Sequence, residues 1–315
     1  SASARQSQNH LHKKIYTPGV PPLFDLKYLE TEKVYAAQNP IKFFRSAKID
    51  KNVTRIRNCV GDLIYLVEGK DRAALIDSGI GVGDLKSYVK TLTDKPVIVL
   101  LTHGHVDHAS GSAQFEEVYM NQKDNALFRE HTAIDSRKGY VGMNPELAKN
   151  LTDADYQPLD NPERFKNLQE GMTFDLGGTH LDIFDLPGHT QGMTAILFRE
   201  NKSLLTGDGA NMFTFLFLPE TLGLTSYEKS LRKFKNVTAG KFDKIYCSHG
   251  NGDLTVDYIE RLLEDCATIL AGKDDKVPFE FMGNKAAIAF EIDQNHNRVD
   301  AGIGNIVYDP NRIHE

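Results

Sequence analysis

Five consecutive aliphatic residues, Val97-Ile98-Val99-Leu100-Leu101, run directly into Thr102-His103-Gly104-His105-Val106-Asp107-His108. A continuous apolar run of this length, rich in branched residues, predicts a strand buried on both faces. Four of the six positions from 103 to 108, namely His103, His105, Asp107 and His108, carry metal-ligand side chains, a composition that packing does not explain. In an extended segment His103 and His105 point the same way, toward one ion, and a turn starting near Asp107 redirects Asp107 and His108 toward a second.

Three further segments share this design, each a strand ending in a ligand beside glycine: Leu186-Pro187-Gly188-His189-Thr190, Leu205-Thr206-Gly207-Asp208-Gly209 and Cys247-Ser248-His249-Gly250. Glycine lets a metal and a substrate come close to the backbone. Alone, a Pro-Gly-His-Thr is usually a turn and a Thr-Gly-Asp a strand end; the ordered set is what points to chemistry. The seven residues His103, His105, Asp107, His108, His189, Asp208 and His249 define one site. The other histidines differ: His10 and His12 sit in a polar arm with no buried strand to fix them. His131, His180, His296 and His314 lack ligand-type neighbours at useful spacing, so surface or core roles are expected for them.

The segments between these motifs predict the scaffold. Strands at 53–57, 63–68 and 73–77 are separated by short turns and read as an antiparallel meander. Leu85, Tyr88, Val89 and Leu92 have helical spacing within 83–92. A second cycle gives strands at 181–186, 194–198 and 203–205, a helix near 227–234 and a strand at 244–247. A helix at 254–270 and strands at 285–292 and 302–308 complete the chain. Two strand-and-helix halves suggest a two-sheet sandwich flanked by helices. Residues 129–162, rich in Asp, Asn, Gly and Pro, are too long for an ordinary connection and form a candidate lid or insertion. The expected organisation is an arm and lead-in at 1–50, with Pro18-Gly19-Val20-Pro21-Pro22 breaking any regular element, and one catalytic domain at 51–315 ending in a strand extension.

Composition removes other classes. With 43 acidic against 37 basic residues, a net charge of −6 and no run of Lys and Arg, the chain lacks the cationic stripe of a nucleic-acid surface. Its longest apolar stretches are far short of the ~20 residues of a membrane-spanning helix. A soluble protein acting on a small molecule is expected. Cys59, Cys247 and Cys266 are too few and too scattered for a disulfide framework or thiolate site, and read as small buried residues. Because residue 1 is Ser, a processed or engineered start is expected, which leaves the compartment open between the cytoplasm and export after signal removal.

The pattern His-x-His-x-Asp-His followed by a distal His, an Asp and a final His resembles the metallo-β-lactamase superfamily, from about Val53 to His249. The resemblance implies an α+β fold, a four-layer αββα sandwich, with two metal ions, usually zinc, with iron or manganese as alternatives. It also implies that His103, His105 and His189 bind the first ion, that Asp107, His108 and His249 bind the second, and that Asp208 bridges both. The implied enzyme is a binuclear zinc-dependent hydrolase in which a metal-bridging hydroxide attacks a small electrophile, with Asp107 and Asp208 as catalytic residues. β-Lactamases of the superfamily usually carry Cys or Ser where Asp208 stands, and the oxygen-reducing di-iron branch usually has Glu where His105 stands. Glyoxalase II-like thioesterases and lactonases share the seven-ligand set. β-Lactamase or phosphodiesterase activity is the alternative, and a metal-dependent ligand-binding protein the non-enzyme one. Structural zinc sites are usually closed and four-coordinate, which favours the enzyme.

Met212-Phe213-Thr214-Phe215-Leu216-Phe217-Leu218, just after Asp208, is the one local clue to substrate. In an extended segment Phe213, Phe215 and Phe217 share a face that either packs in the core or forms an apolar wall beside the metals. The second case favours an apolar ester, lactone, thioester or isothiocyanate.

Overall fold

The computed structural model describes residues 43–315; the polar arm, the Pro18–Pro22 stretch, His10 and His12 lie outside them. Strands β1 (Phe44–Asp50), β2 (Val53–Asn58), β3 (Leu63–Glu68), β4 (Ala73–Ile76), β5 (Val97–Leu100), β6 (Val118–Met120) and β7 (Lys166–Asn167) form one sheet in sequence order. The first four pair antiparallel, while β4, β5, β6 and β7 run parallel. Because β1 pairs with β2, this sheet starts before the boundary expected at residue 50.

A second sheet has the order β14-β13-β11-β10-β9-β8. It is built from β8 (Thr173–Asp175), β9 (His180–Asp185), β10 (Thr194–Phe198), β11 (Ser203–Leu205), β13 (Lys244–Tyr246) and β14 (Asp253–Leu254). The period of two in strand side chains places the layers. Along β5, Ile98 and Leu100 pack with Ile183, Ile196, Phe198 and Leu205 of the second sheet. Val99 and Leu101 instead meet Leu85 and Val89 of α1 (Leu85–Leu92) on the outer side. The remaining α-helices among the described residues are α2 (Val106–Ala109), α3 (Asn125–His131), α4 (Ile134–Gly142), α5 (Pro145–Ala148), α6 (Leu224–Thr238) and α7 (Tyr258–Leu270). Leu224, Tyr227, Leu231 and Phe234 recur at helical spacing, so α6 buries one face. That face joins Ile259, Leu262, Cys266 and Ile269 of α7 in one cluster on the outer side of the second sheet. The order from outside to outside is therefore helix, sheet, sheet, helix, the αββα sandwich expected.

Segment 129–162, the candidate lid or insertion, has secondary structure of its own. It contains the end of α3, then α4 and α5, with Pro145 opening α5 and the Asn144 side chain accepting from Leu147 N. Pro and Asn at these places are helix-starting signals. The helix expected from 254 starts at Tyr258, and the strand expected to 292 ends at Ile288. All three cysteines are buried, and no disulfide joins them.

Strands β12 (Phe213–Leu216), β15 (Val277–Phe281), β16 (Asn284–Ile288) and β17 (Asn305–Tyr308) make a third, four-stranded sheet in the order β12-β17-β16-β15. Phe213, Phe215 and Phe217 do share a face. There Phe217, 4% exposed, packs with Phe279 and Phe281. F217A should lower the unfolding free energy by about 3–5 kcal/mol while leaving metal uptake intact; a loss under about 1 kcal/mol in urea denaturation would contradict the core role.

Candidate metal centre

The seven expected residues converge. All are buried, with exposures between 0% and 5%. Their ligand atoms fall into two groups able to hold a cation, His103 with His105 and His189, and Asp107 with His108, Asp208 and His249. Strand ends do the positioning. β5 releases His103, and His105 caps the N-terminus of α2, whose first turn carries Asp107 and His108. β9, β11 and β13 lead to His189, Asp208 and His249. Gly188 lies against the Tyr227 ring, where a Cβ would come within 2.3 Å of Cδ2, so the His189 loop needs glycine there.

Asp208 lies between the groups. Its Oδ2 is 3.1 Å from Nε2 of both His108 and His249, 3.5 Å from His189 Nε2 and 3.8 Å from His103 Nε2. Asp107 Oδ2 is 3.1 Å from His108 Nε2 and 3.4 Å from His249 Nε2.

The far side of each imidazole fixes its tautomer. Asp77, at the end of β4, faces His108 Nδ1 at 3.0 Å, and a carboxylate only accepts. The Thr102 hydroxyl donates to Asp77 at 2.9 Å, so it accepts from His103 Nδ1, also at 2.9 Å. The Phe215 carbonyl takes the proton of His189 Nδ1 at 2.9 Å. Thus His103, His108 and His189 all present Nε2 inward. His105 is reversed: Nε2 contacts Glu220 Oε1 at 2.6 Å and Nδ1 faces His189 Nε2 at 2.9 Å.

The fit to cations shows in what stays unsatisfied. Nε2 of His103 and of His108 is buried without a hydrogen bond. For His108 the two carboxylate oxygens at 3.1 Å attract charge but lack hydrogen-bond geometry. Electrostatics separates the two groups. Burial, then the neighbouring His108 and His105, push His103 well below the usual histidine range. Burial and His105 lower His189 to about 4. Burial would also lower His108 and His249, but Asp107 and Asp208 outweigh it, raising His108 well above its usual value and His249 to about 9. Against its own burial, His108 and His249 hold Asp208 well below the carboxylate range. Protons on the second group thus stand where a cation would neutralise two carboxylates.

Several residues here had no motif to announce them. Tyr140 of α4 donates to Asp107 Oδ2 at 3.3 Å, and Asp62 Oδ1 lies 3.6 Å from His249 Nδ1. His131, expected in a surface or core role, stacks on His105 with centroids 4.9 Å apart and joins His105 and Glu220 in a third ligand-type group. A cavity of about 530 Å³ opens over the site, lined by His105, Asp107, Asp208, Tyr140, Phe215, Leu218 and Phe281 among others. Phe215 therefore reaches the cavity, whereas Phe217 does not line it.

Fold and site together define an αββα protein carrying a two-centred cluster of metal-ligand side chains. The sequence pattern of the metallo-β-lactamase superfamily matches residues 58–249, and the chain belongs to that superfamily, whose members bind metal ions, typically zinc. It is 29% identical over 168 residues to an acyl-coenzyme A thioesterase of Gallus gallus, covering 46% of this chain and 56% of that one. It is 30% identical over 158 residues to a hydroxyacylglutathione hydrolase of Haemophilus influenzae, covering 48% and 66%. The chain thus spans between about half and two thirds of these curated relatives. A metallo-β-lactamase of Pseudomonas aeruginosa in its mono-zinc form shares the fold, with a TM-score of 0.53 at 16% identity over 74% of this chain and 98% of that one. No helix among the described residues is long and apolar enough to cross a membrane.

Because zinc requires neutral imidazoles, uptake by the second group must displace protons from His108 and His249 at pH 7.5, whereas His103 and His189 have none to lose. Calorimetry in buffers of different ionisation enthalpy should find about two protons released per chain, with affinity at the second group rising with pH. Proton-neutral uptake would refute this charge assignment.

Proposed function

We propose that the chain is a hydrolase that holds two divalent cations, zinc ahead of iron or manganese, and cleaves a small uncharged substrate with an apolar acyl group. A thioester, ester or lactone is the preferred class, and an isothiocyanate also fits the cavity. The catalytic unit is residues 51–315 together with β1 (Phe44–Asp50), which belongs to its first sheet. The observation that carries the two-cation reading is the Asp208 carboxylate, whose one oxygen lies within 3.8 Å of ring nitrogens from both groups. Imidazole suits zinc and iron alike, and the absence of thiolate ligands separates this set from cysteine-rich structural zinc.

When bound, the cations supply a Lewis acid that polarises a carbonyl and lowers the pKa of water to about 7. His103, His105 and His189 would hold the first, Asp107, His108 and His249 the second, and Asp208 would neutralise charge on both. Asp107 lines the cavity beside Tyr140, whose hydroxyl donates to its Oδ2, and is the carboxylate placed to receive a proton from an attacking water. Burial and Asp107 hold the Tyr140 hydroxyl well above its ordinary range, so it keeps its proton and donates a hydrogen bond to Asp107. Leu127, Phe215, Leu218 and Phe281 form an apolar wall for the acyl group.

Two relatives named for acyl-coenzyme A and hydroxyacylglutathione hydrolysis support cleavage of an acyl compound. Leaving-group charge is a separate matter. The described residues lining the cavity include Asp107, Glu130, Asp208 and Glu220 but no Lys or Arg, a poor match for the phosphates of coenzyme A. The same lining disfavours a phosphodiester.

With one acyl chain, a thioester of a small neutral thiol should show kcat/KM about tenfold or more above the coenzyme A thioester, a difference of ~1.4 kcal/mol. Equal rates, or turnover of β-lactams or phosphodiesters alone, would reject the substrate class. D208A should abolish hydrolysis and bring zinc below two ions per chain; normal zinc content and rate in that variant would reject the bridging role.

A further inference from the structure

His105 is turned around relative to the other three imidazoles whose tautomers are fixed, and the cause lies on the substrate side of the site. Glu220 Oε1 is 2.6 Å from its Nε2. A carboxylate accepts only, so Nε2 carries the proton and the Nδ1 lone pair is left facing His189 Nε2 across 2.9 Å. Glu220 follows β12 by a short turn, and that turn is itself pinned. Leu222 N donates to Gly188 O at 2.8 Å and Thr221 N to Leu218 O at 3.0 Å, while Arg312 Nη2 donates to Thr221 O at 2.6 Å. The same segment orients His189, through the Phe215 carbonyl at 2.9 Å. One stretch of chain, Phe215 to Glu220, therefore aims two of the three imidazoles of the first group at one point.

Given the two-cation reading above, on which this rests, we propose that Glu220 is a positioning residue for the first cation: it selects the tautomer and the rotation of His105. Its second neighbour, His131, lies farther off, with Nε2 at 3.8 Å from Oε1, beyond hydrogen-bond distance. A carboxylate behind a ligating histidine fixes the ring and raises its basicity, and removing such a partner weakens metal affinity by about 10–100-fold.

The test uses the zinc-loaded full chain and its E220A, E220Q and H131A variants, measuring ions per chain during chelator competition and at saturating zinc, with melting temperatures alongside. E220A should release one ion at a chelator concentration about 10–100-fold lower than wild type and keep the other unchanged. E220Q, which retains an acceptor oxygen without the charge, should fall between. H131A should hold both ions as wild type does. Wild-type retention in E220A overturns the proposal, as does loss of both ions together with a fall in melting temperature, which would mark Glu220 as a scaffold residue. A third ion at saturating zinc that both E220Q and H131A abolish also overturns it, making His131 and Glu220 a cation site of their own. A wild type that holds no ion rejects the two-cation reading itself, and is distinguished because the failure precedes any substitution.

Discussion

Asp77 holds the back of the site together. It sits just past β4 at φ 69, a conformation that costs a non-glycine residue of order 1–3 kcal/mol unless its surroundings impose it. Here they do: its N–H donates to Leu100 O at the end of β5, its carboxylate takes Thr102 N at 2.7 Å and the Thr102 hydroxyl at 2.9 Å, and it faces His108 Nδ1 at 3.0 Å. One buried charge thus ties two parallel strand ends to the first turn of α2. Through Thr102 it also sets His103. Burial raises its pKa while these donors oppose the rise, so the ladder of hydrogen bonds and the anion sustain each other.

The parallel pairing of β4 with β5 and of β11 with β13 brings the ends carrying Asp77, His103, Asp208 and His249 to one rim. Rigid strands keep the donors still while the loops beyond them carry the contacts. Within that rim the histidines differ in kind. Burial and neighbouring imidazoles lower His103 and His189, which stand 3.8 and 3.5 Å from Asp208 Oδ2, whereas Asp107 and Asp208 raise His108 and His249, each 3.1 Å from Asp208 Oδ2. A difference of neighbours, and not of residue type, makes the two groups chemically unequal.

The seven converging side chains were legible in the sequence because they cluster in short motifs at predicted strand ends, and the αββα layers because two strand-and-helix halves recur along the chain. What could not be read were single residues that matter only through tertiary approach. Glu220 is 115 positions from His105, and Tyr140 is 33 from Asp107. Neither belongs to a periodic pattern. His131 had no ligand-type neighbours at useful spacing in sequence, yet the fold stacks it on His105. In segment 129–162, Asn144 and Pro145 were counted as loop formers when they in fact open α5. The aromatic run was read as having one fate, but it has two: Phe215 lines the cavity and Phe217 is held by Phe279 and Phe281.

The hairpin of β15 and β16 supplies Phe281, Met282 and Asn284 to the cavity wall, and it lies beyond residue 249, where the superfamily pattern ends. Met282 is 66% exposed at the tip, so a change there disturbs little packing and touches no ligand side chain. Selection, natural or in the laboratory, can therefore reshape what enters this cavity by editing a turn, while the seven converging side chains beneath it are inherited unaltered.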